Sequence, residues 1–144
     1  EGLAVADGEM YFGSRGPSVD GHAFVLQVAV NRIFGNSTRD ESIHKLNLGS
    51  RTGIRDLARV DNGLLVLTGH VGERDLAPEI LFWNLETKQL NSLGELPMIP
   101  DKKAETVLVL DEMADGDIVK YRILVLYDGL QNGNPTEYNL ERKR

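Results

Sequence analysis

Three charged residues of this 144-residue chain stand at equivalent points of an internal repeat, and carboxylates in such positions can do chemistry. Glu1, Arg55 and Glu105 each lie two residues ahead of an apolar residue that opens a repeated phrase. Carboxylates gathered in this way can ligate Ca²⁺, which takes about six to eight oxygen ligands, or polarise a substrate. Glu1 and Glu105 are therefore candidate metal ligands, and Arg55 and its neighbour Asp56 are candidate ligand-binding residues.

The same charged residues can instead form a structural network of ion pairs between neighbouring units. The guanidinium of Arg55 presents a rigid fork of donors that matches carboxylate oxygens. Its positive charge between Glu1 and Glu105 would also neutralise much of the field that attracts a metal ion. The sequence favours the structural network over the calcium site, and both remain open at this point.

A second set of polar residues follows the second apolar run of each repeat, where loops at one end of the fold are expected. The set consists of Arg15, His70 and Asp128. Arg15 can grip a carboxylate or phosphate, and His70 is the candidate for proton transfer because imidazole titrates near neutral pH. The alternative, which the sequence favours, is that these are separate turn residues that make local hydrogen bonds.

Other kinds of reactive site lack support in the sequence. The chain has no cysteine, which excludes disulfides and thiolate chemistry. No Gly-x-Ser-x-Gly nucleophile motif is present. His22 and His44 have no histidine or cysteine partner at zinc-ligand spacing, so calcium is the one cofactor that the pattern raises.

The elements that would position these residues follow from the repeat itself. Each copy is an apolar run, a turn and a second apolar run, and the recurrence every ~50 residues is typical of propellers. Asp and Asn beside Gly favour tight hairpins because both tolerate positive φ. The turns are Asp7-Gly8, Asp61-Asn62-Gly63 and Asp115-Gly116-Asp117. We predict an all-β, propeller-like fold of about three antiparallel blades, with a plain β-sandwich as the alternative.

These blades divide a single β-repeat domain, 1–144, into repeats of approximately 1–52, 53–103 and 104–140. The apolar run His22–Val30 predicts a strand buried on both faces. The polar segment from Asn132 onward is predicted to be a frayed tail.

About three blades cannot close a propeller, which typically has ~4–8. The open sheet edges therefore need a cover, either the rest of a longer chain or further copies of this one. The sequence opens at Glu1 in the middle of a repeated phrase and without Met. We therefore predict that it is a fragment of a longer propeller domain.

Charge and hydropathy limit the remaining partners. Acidic residues outnumber basic ones by 22 to 16, for a net charge of −6, which argues against nucleic-acid binding. No apolar stretch approaches the ~20 residues of a spanning helix, so no membrane insertion is expected. A soluble protein of the bacterial cytoplasm or periplasm is expected, with a small molecule or a protein as a further partner.

Several short segments resemble a known family of bacterial proteins, the family called domain of unknown function 3616. They are Glu1-Gly2-Leu3-Ala4, Gly13-Ser14-Arg15-Gly16-Pro17, Gly53-Ile54-Arg55-Asp56-Leu57-Ala58 and Leu126-Tyr127-Asp128. The resemblance covers Glu1 to Asp128 and corresponds to the later half of the family's longer domain. It implies a propeller-like β fold and no established activity.

The leading functional hypothesis is a binding or interaction scaffold that presents one loop face. The alternative is a calcium-dependent hydrolase of the lactonase or esterase kind, in which the ion would polarise a carbonyl or phosphoryl oxygen. His70 would then be the base. The ligands in that case would be Glu1, Asp56, Glu105 and Asp128. A third possibility is a purely structural domain whose partner is the rest of its own chain.

Overall fold

A computed structural model describes residues 1–36, 38–72, 76–129 and 131–144, and in them the chain forms three antiparallel β-sheets. The first sheet contains β1 (Gly2–Ala6), β2 (Glu9–Gly13), β3 (His22–Ala29) and β4 (Ser42–Asn47). The middle sheet contains β5 (Thr52–Val60), β6 (Gly63–His70), β7 (Glu79–Asn84) and β8 (Leu90–Glu95). The third sheet contains β9 (Lys103–Asp115), β10 (Ile118–Asp128) and β11 (Thr136–Lys143). The predicted all-β class is confirmed.

Within each sheet the strands pair in sequence order, because tight turns return the chain directly alongside itself. The turns Asp7-Gly8, Asp61-Asn62 and Gly116-Asp117 each leave two residues between the last paired positions. Asp7 and Asn62 have φ of 52° and 60°. Positive φ in the loop matches the twist of the flanking strands, which is why Asp, Asn and Gly occupy these places.

The middle sheet is packed between the other two, and β6 shows this most clearly. Leu64 and Val66 belong to the apolar core shared with the first sheet. Leu65 and Leu67 belong to the core shared with the third sheet. Successive side chains of a strand point to opposite faces, so a strand buried on both faces reads as a continuous apolar run.

The first strands of the three sheets lie side by side, with β5 in contact with both β1 and β9. A Cβ atom on Gly2 would lie 2.9 Å from the backbone of Asp56 and Leu57, so the absence of a side chain permits this close approach of β1 to β5. The residues that precede or open these strands are thereby brought to one end of the molecule.

The prediction of a frayed tail after Asn132 is wrong, because β11 occupies Thr136–Lys143. Tyr138 and Leu140 pack against the core between the middle and third sheets. Arg142 lies over the Phe82 ring, with its guanidinium carbon 4.1 Å from the ring centroid. A strand with one covered face needs an apolar residue only at alternate positions. In a mostly polar segment this alternation is a weak signal, which is why the strand was not predicted.

The prediction that β3 is buried on both faces is also wrong. Ala23 and Val25 are buried against the middle sheet, but on the opposite face Phe24 is half-buried, Leu26 is exposed and Val28 is buried again. The strand ends at Ala29 and a short helix, α1 (Val30–Phe34), follows it with no buried residue. No helix in the described part of the chain is long and apolar enough to cross a membrane.

Candidate functional site

The candidate site is organised by Arg55, which occupies a β-bulge in β5. Ile54 pairs with Thr68 and Asp56 pairs with Leu67, so Arg55 is an extra residue in its strand. Bulges re-aim side chains in this way. Its side chain is only 2% exposed. A Cβ on Gly69 of the neighbouring strand would lie 2.8 Å from Arg55 Nε, so the glycine makes room for the guanidinium.

The guanidinium of Arg55 joins all three sheets. Nη1 donates to Glu105 Oε1 at 2.8 Å, at the start of β9, and to Glu1 Oε2 at 3.4 Å, just ahead of β1. Nη2 donates to the backbone carbonyl of His70 at 2.8 Å, at the end of β6. Satisfying several donors at once is what makes a buried guanidinium tolerable in a protein interior.

Arg15, in the loop after β2, extends these contacts towards solvent. Nη1 donates to Glu1 Oε1 at 3.1 Å, and Nη2 donates to the carbonyl of Gly72 at 3.3 Å. Glu1 therefore lies between two arginines, and Arg55 lies between two glutamates. We call Glu1, Arg15, Arg55 and Glu105 the Arg–Glu network.

Asp56 is near the network but has a different role. Its Oδ1 accepts a hydrogen bond from the Leu57 N–H at 2.9 Å, and its Oδ2 accepts one from the Val107 N–H at 2.9 Å. The second bond ties β5 to β9. Burial raises the pKa of Asp56 above its ordinary value, although both of these hydrogen bonds act to lower it. Both carboxylate oxygens are thus occupied by backbone donors.

The pKa of Glu105 is raised above its ordinary value even though the residue is paired with Arg55. Burial is the largest cause, and the nearby carboxylate of Glu1 adds to it, while Arg55 opposes both. One guanidinium shared by two carboxylates cannot fully compensate each of them for lost hydration. The negative charge of Glu105 is therefore held less firmly than that of an ordinary glutamate.

His70 and Asp128 do not join Arg15 in one reactive cluster. The Nδ1 atom of His70 accepts a hydrogen bond from the Gly72 N–H at 2.9 Å, which closes a local turn. Asp128 is exposed at the end of β10, where it pairs with Lys103 in the strand register. Across the described ranges no hydrogen bond or ion pair links Asp128 to Arg15, Arg55 or His70.

The donor set offers little to a metal ion. Among the residues that the structure describes, no group of three or more His, Cys, Asp or Glu side chains is placed to hold one. Glu1 and Glu105 both face the positive guanidinium of Arg55, and Asp56 accepts two backbone hydrogen bonds. A divalent cation between them would meet a fixed positive charge.

Comparison with known proteins places the chain in a family. The family model described as "Protein of unknown function (DUF3616)" matches residues 1–137. The chain belongs to the DUF3616 family. The resemblance seen in the short sequence segments is thereby confirmed. No curated protein and no solved structure matches the chain significantly.

In this DUF3616 chain, sequence reasoning alone missed the part played by glycine around Arg55. Gly69 lies inside a strand, where glycine is unusual unless another group approaches closely. That signal was available in the sequence, but it could not say which group approaches. Gly72 contributes through its backbone: its N–H donates to His70 and its carbonyl accepts from Arg15. A role of this kind cannot be predicted from residue type.

Proposed function

We propose that this DUF3616 chain is a binding and interaction scaffold, built as three blades of a β-propeller whose inner strands are β1, β5 and β9. The support is the order of the strands. Each sheet is a meander of consecutive antiparallel strands, and the first strand of each contacts the first strand of the next. Radial repetition of such sheets is the propeller arrangement.

The observation that carries the scaffold role is the engagement of Arg55 with Glu1, Glu105 and the His70 carbonyl. The side chains best suited to acid–base or metal chemistry are occupied with one another, and they hold the three sheets together at their inner strands. A buried arginine with several partners fixes the relative position of the segments it joins. A movement that breaks one of its contacts would leave a buried charge without its partner.

The end of the molecule that carries the network is the proposed binding face. The side chains of Glu1, Arg15 and Glu105 remain partly exposed there, while Arg55 beneath them is buried. Loops held at one end of a rigid β framework are common places for recognition. A rigid base with partly exposed charges of both signs suits a polar ligand or a protein loop.

The test is the thermal and urea unfolding of a Glu105→Ala variant at neutral pH, with and without calcium. The scaffold role predicts a loss of about 1–2 kcal/mol, since Arg55 loses its shortest carboxylate partner. It also predicts that calcium leaves the wild-type melting temperature unchanged. Glu95→Ala is the matched control, because Glu95 is an exposed residue of β8 in no ion pair among those described.

A variant that melts like the wild type would contradict the scaffold role. A wild-type melting temperature raised by calcium, with the increase lost in Glu105→Ala, would replace it with the calcium-dependent hydrolase hypothesis. Ester and lactone substrates would then be the ones to screen.

A further inference from the structure

The outer face of the first sheet carries an apolar row in direct cross-strand register. Leu3 pairs with Phe12, Phe12 with Leu26, and Leu26 with Ile43, so the row crosses all four strands. Leu3, Leu26 and Ile43 are exposed. We call Leu3, Phe12, Leu26 and Ile43 the first outer face.

Each position of this face up to β3 has a counterpart in the middle sheet. The pairs that close the first hairpins, Ala6 with Glu9 and Val60 with Gly63, are equivalent because a two-residue turn separates each. From each of these pairs we count three residues away from the turn along the first strand. The residue reached there, and the residues paired with it on the following strands, are then matched between the two sheets. The resulting equivalences are Leu3 with Leu57, Phe12 with Val66, and Leu26 with Leu81.

The counterparts in the middle sheet are all buried. Leu57, Val66 and Leu81 belong to the core that the middle sheet shares with the first sheet. The first outer face is therefore the kind of surface that, one sheet later in the chain, packs against a neighbouring sheet. A registered apolar row of this size seldom stays exposed to water.

The third sheet presents the complementary kind of face. Val107 and Val125 pack against the middle sheet, so the adjacent residues Leu108 and Leu124, which pair with each other, point the opposite way. Leu108 and Leu110 are exposed. We call Leu108, Leu110 and Leu124 the third outer face. The equivalent face of the middle sheet packs on the third sheet. The equivalent face of the first sheet packs on the middle sheet.

The two bare faces are thus the two halves of an interface that the chain already makes twice, first sheet on middle sheet and middle sheet on third. We propose that the first outer face of one copy packs against the third outer face of a second copy. This inference rests on the scaffold function proposed above. A second copy is the occupant because both halves of the interface are present on one chain, and the new contact continues the established stack.

Such a contact is head-to-tail, so two copies joined at both ends form a closed ring. Three sheets from each copy make six, which is within the ~4–8 blades of known propellers. The first outer face and the third outer face would then both be covered, with no bare apolar face remaining at either end.

The experiment is analytical ultracentrifugation of the full chain over a concentration series, with three lysine variants of matched exposure. Leu3 is 49% exposed on the first outer face, Leu108 is 46% exposed on the third, and Val19 is 48% exposed in a loop outside both. We expect a two-copy mass for the wild type and for Val19→Lys. Leu3→Lys and Leu108→Lys should each weaken association at least about tenfold, since a buried lysine is left unpaired.

The decisive experiment mixes the two weakened variants, Leu3→Lys and Leu108→Lys. The Leu3→Lys copy keeps an intact third outer face and the Leu108→Lys copy keeps an intact first outer face, so the mixture should regain a two-copy species through one good interface. A dimer of Leu108→Lys as tight as the wild type would show self-pairing of the first outer face and overturn the proposal. A one-copy mass for the folded wild type at every concentration would also overturn it.

The outcome is separable from that of the scaffold function. Circular dichroism checks that each variant is folded, and the Glu105→Ala stability difference is measured on the same preparations. A normal loss of stability in Glu105→Ala with no self-association would reject the second copy as partner and leave the scaffold function standing.

Discussion

The Nη1 atom of Arg55 donates to Glu105 Oε1 at 2.8 Å, and this bond joins the first strand of the middle sheet to the first strand of the third. The two residues are 50 positions apart in the sequence. They meet because a bulge turns Arg55 inward and because Gly69 leaves space for its side chain.

Replacing Arg55 by methionine should lower the free energy of unfolding by about 3 kcal/mol, because Glu1 and Glu105 lose their shared cation. Urea unfolding monitored by Trp83 fluorescence measures this. Arg59→Met is the control, since the one ion pair of Arg59 among the described residues is an exposed pair with Asp7 at 3.1 Å. The control should cost less than about 1 kcal/mol. Equal losses in the two variants would mean that the network does not hold the sheets.

Adding a methyl group at position 69 should disturb Arg55 rather than the strand itself. The Cβ of a Gly69→Ala variant would lie 2.8 Å from Arg55 Nε, closer than real contacts allow. We expect a clear loss of stability in the wild-type background and a much smaller one in the Arg55→Met background. A double-mutant cycle measures the coupling between the two sites. Additive losses would show that Gly69 does not act through the guanidinium.

The stability difference between the wild type and Glu105→Ala should grow as the pH is lowered. The folded pKa of Glu105 is raised above the ordinary value of 4.5, chiefly by burial. In the window between these two values the folded state binds more protons than the unfolded state. The part of its contribution that depends on protonation is therefore fully present below pH 4.5 and is lost as the pH rises through the folded pKa, in addition to the loss through Arg55 expected at neutral pH.

Urea unfolding of both proteins at a series of pH values from neutral to about 4 tests this sign. Titrating groups that do not interact with Glu105, such as His44, are shared by the two proteins and cancel in the difference. A difference that shrinks on acidification would mean that the pairing with Arg55 outweighs burial at Glu105.

Arg142 should be a structural residue of β11 and not part of a solvated tail. It lies over the Phe82 ring, and its Nε donates to the Tyr121 hydroxyl at 2.7 Å. Arg142→Ala should cost about 1–2 kcal/mol through the lost stacking and the lost hydrogen bond. Arg144→Ala, at the exposed end of the chain, should have no measurable effect. Thermal unfolding compares the two, and equal melting temperatures would contradict the role given to β11.

The sequence alone determined the all-β class and the positions of the hairpins, because both are local properties. The turn Asp7-Gly8 and the equivalent turns can be recognised from their residue types. The apolar runs on either side show the period of a strand or of a buried strand. The sequence also predicted that Glu1, Arg55 and Glu105 lie close together, and Arg55 contacts both carboxylates in the structure.

Only the tertiary structure decided how those charges are used and which faces are covered. Three features depend on neighbouring strands, which no local pattern specifies. They are the bulge at Arg55, the space above Gly69 and the hydrogen bond from Arg55 to the His70 carbonyl. The same limit applies to β11 and to Leu26, whose surroundings are set by packing between sheets. Burial is a property of what lies opposite a residue, so it becomes known only when the sheets are stacked.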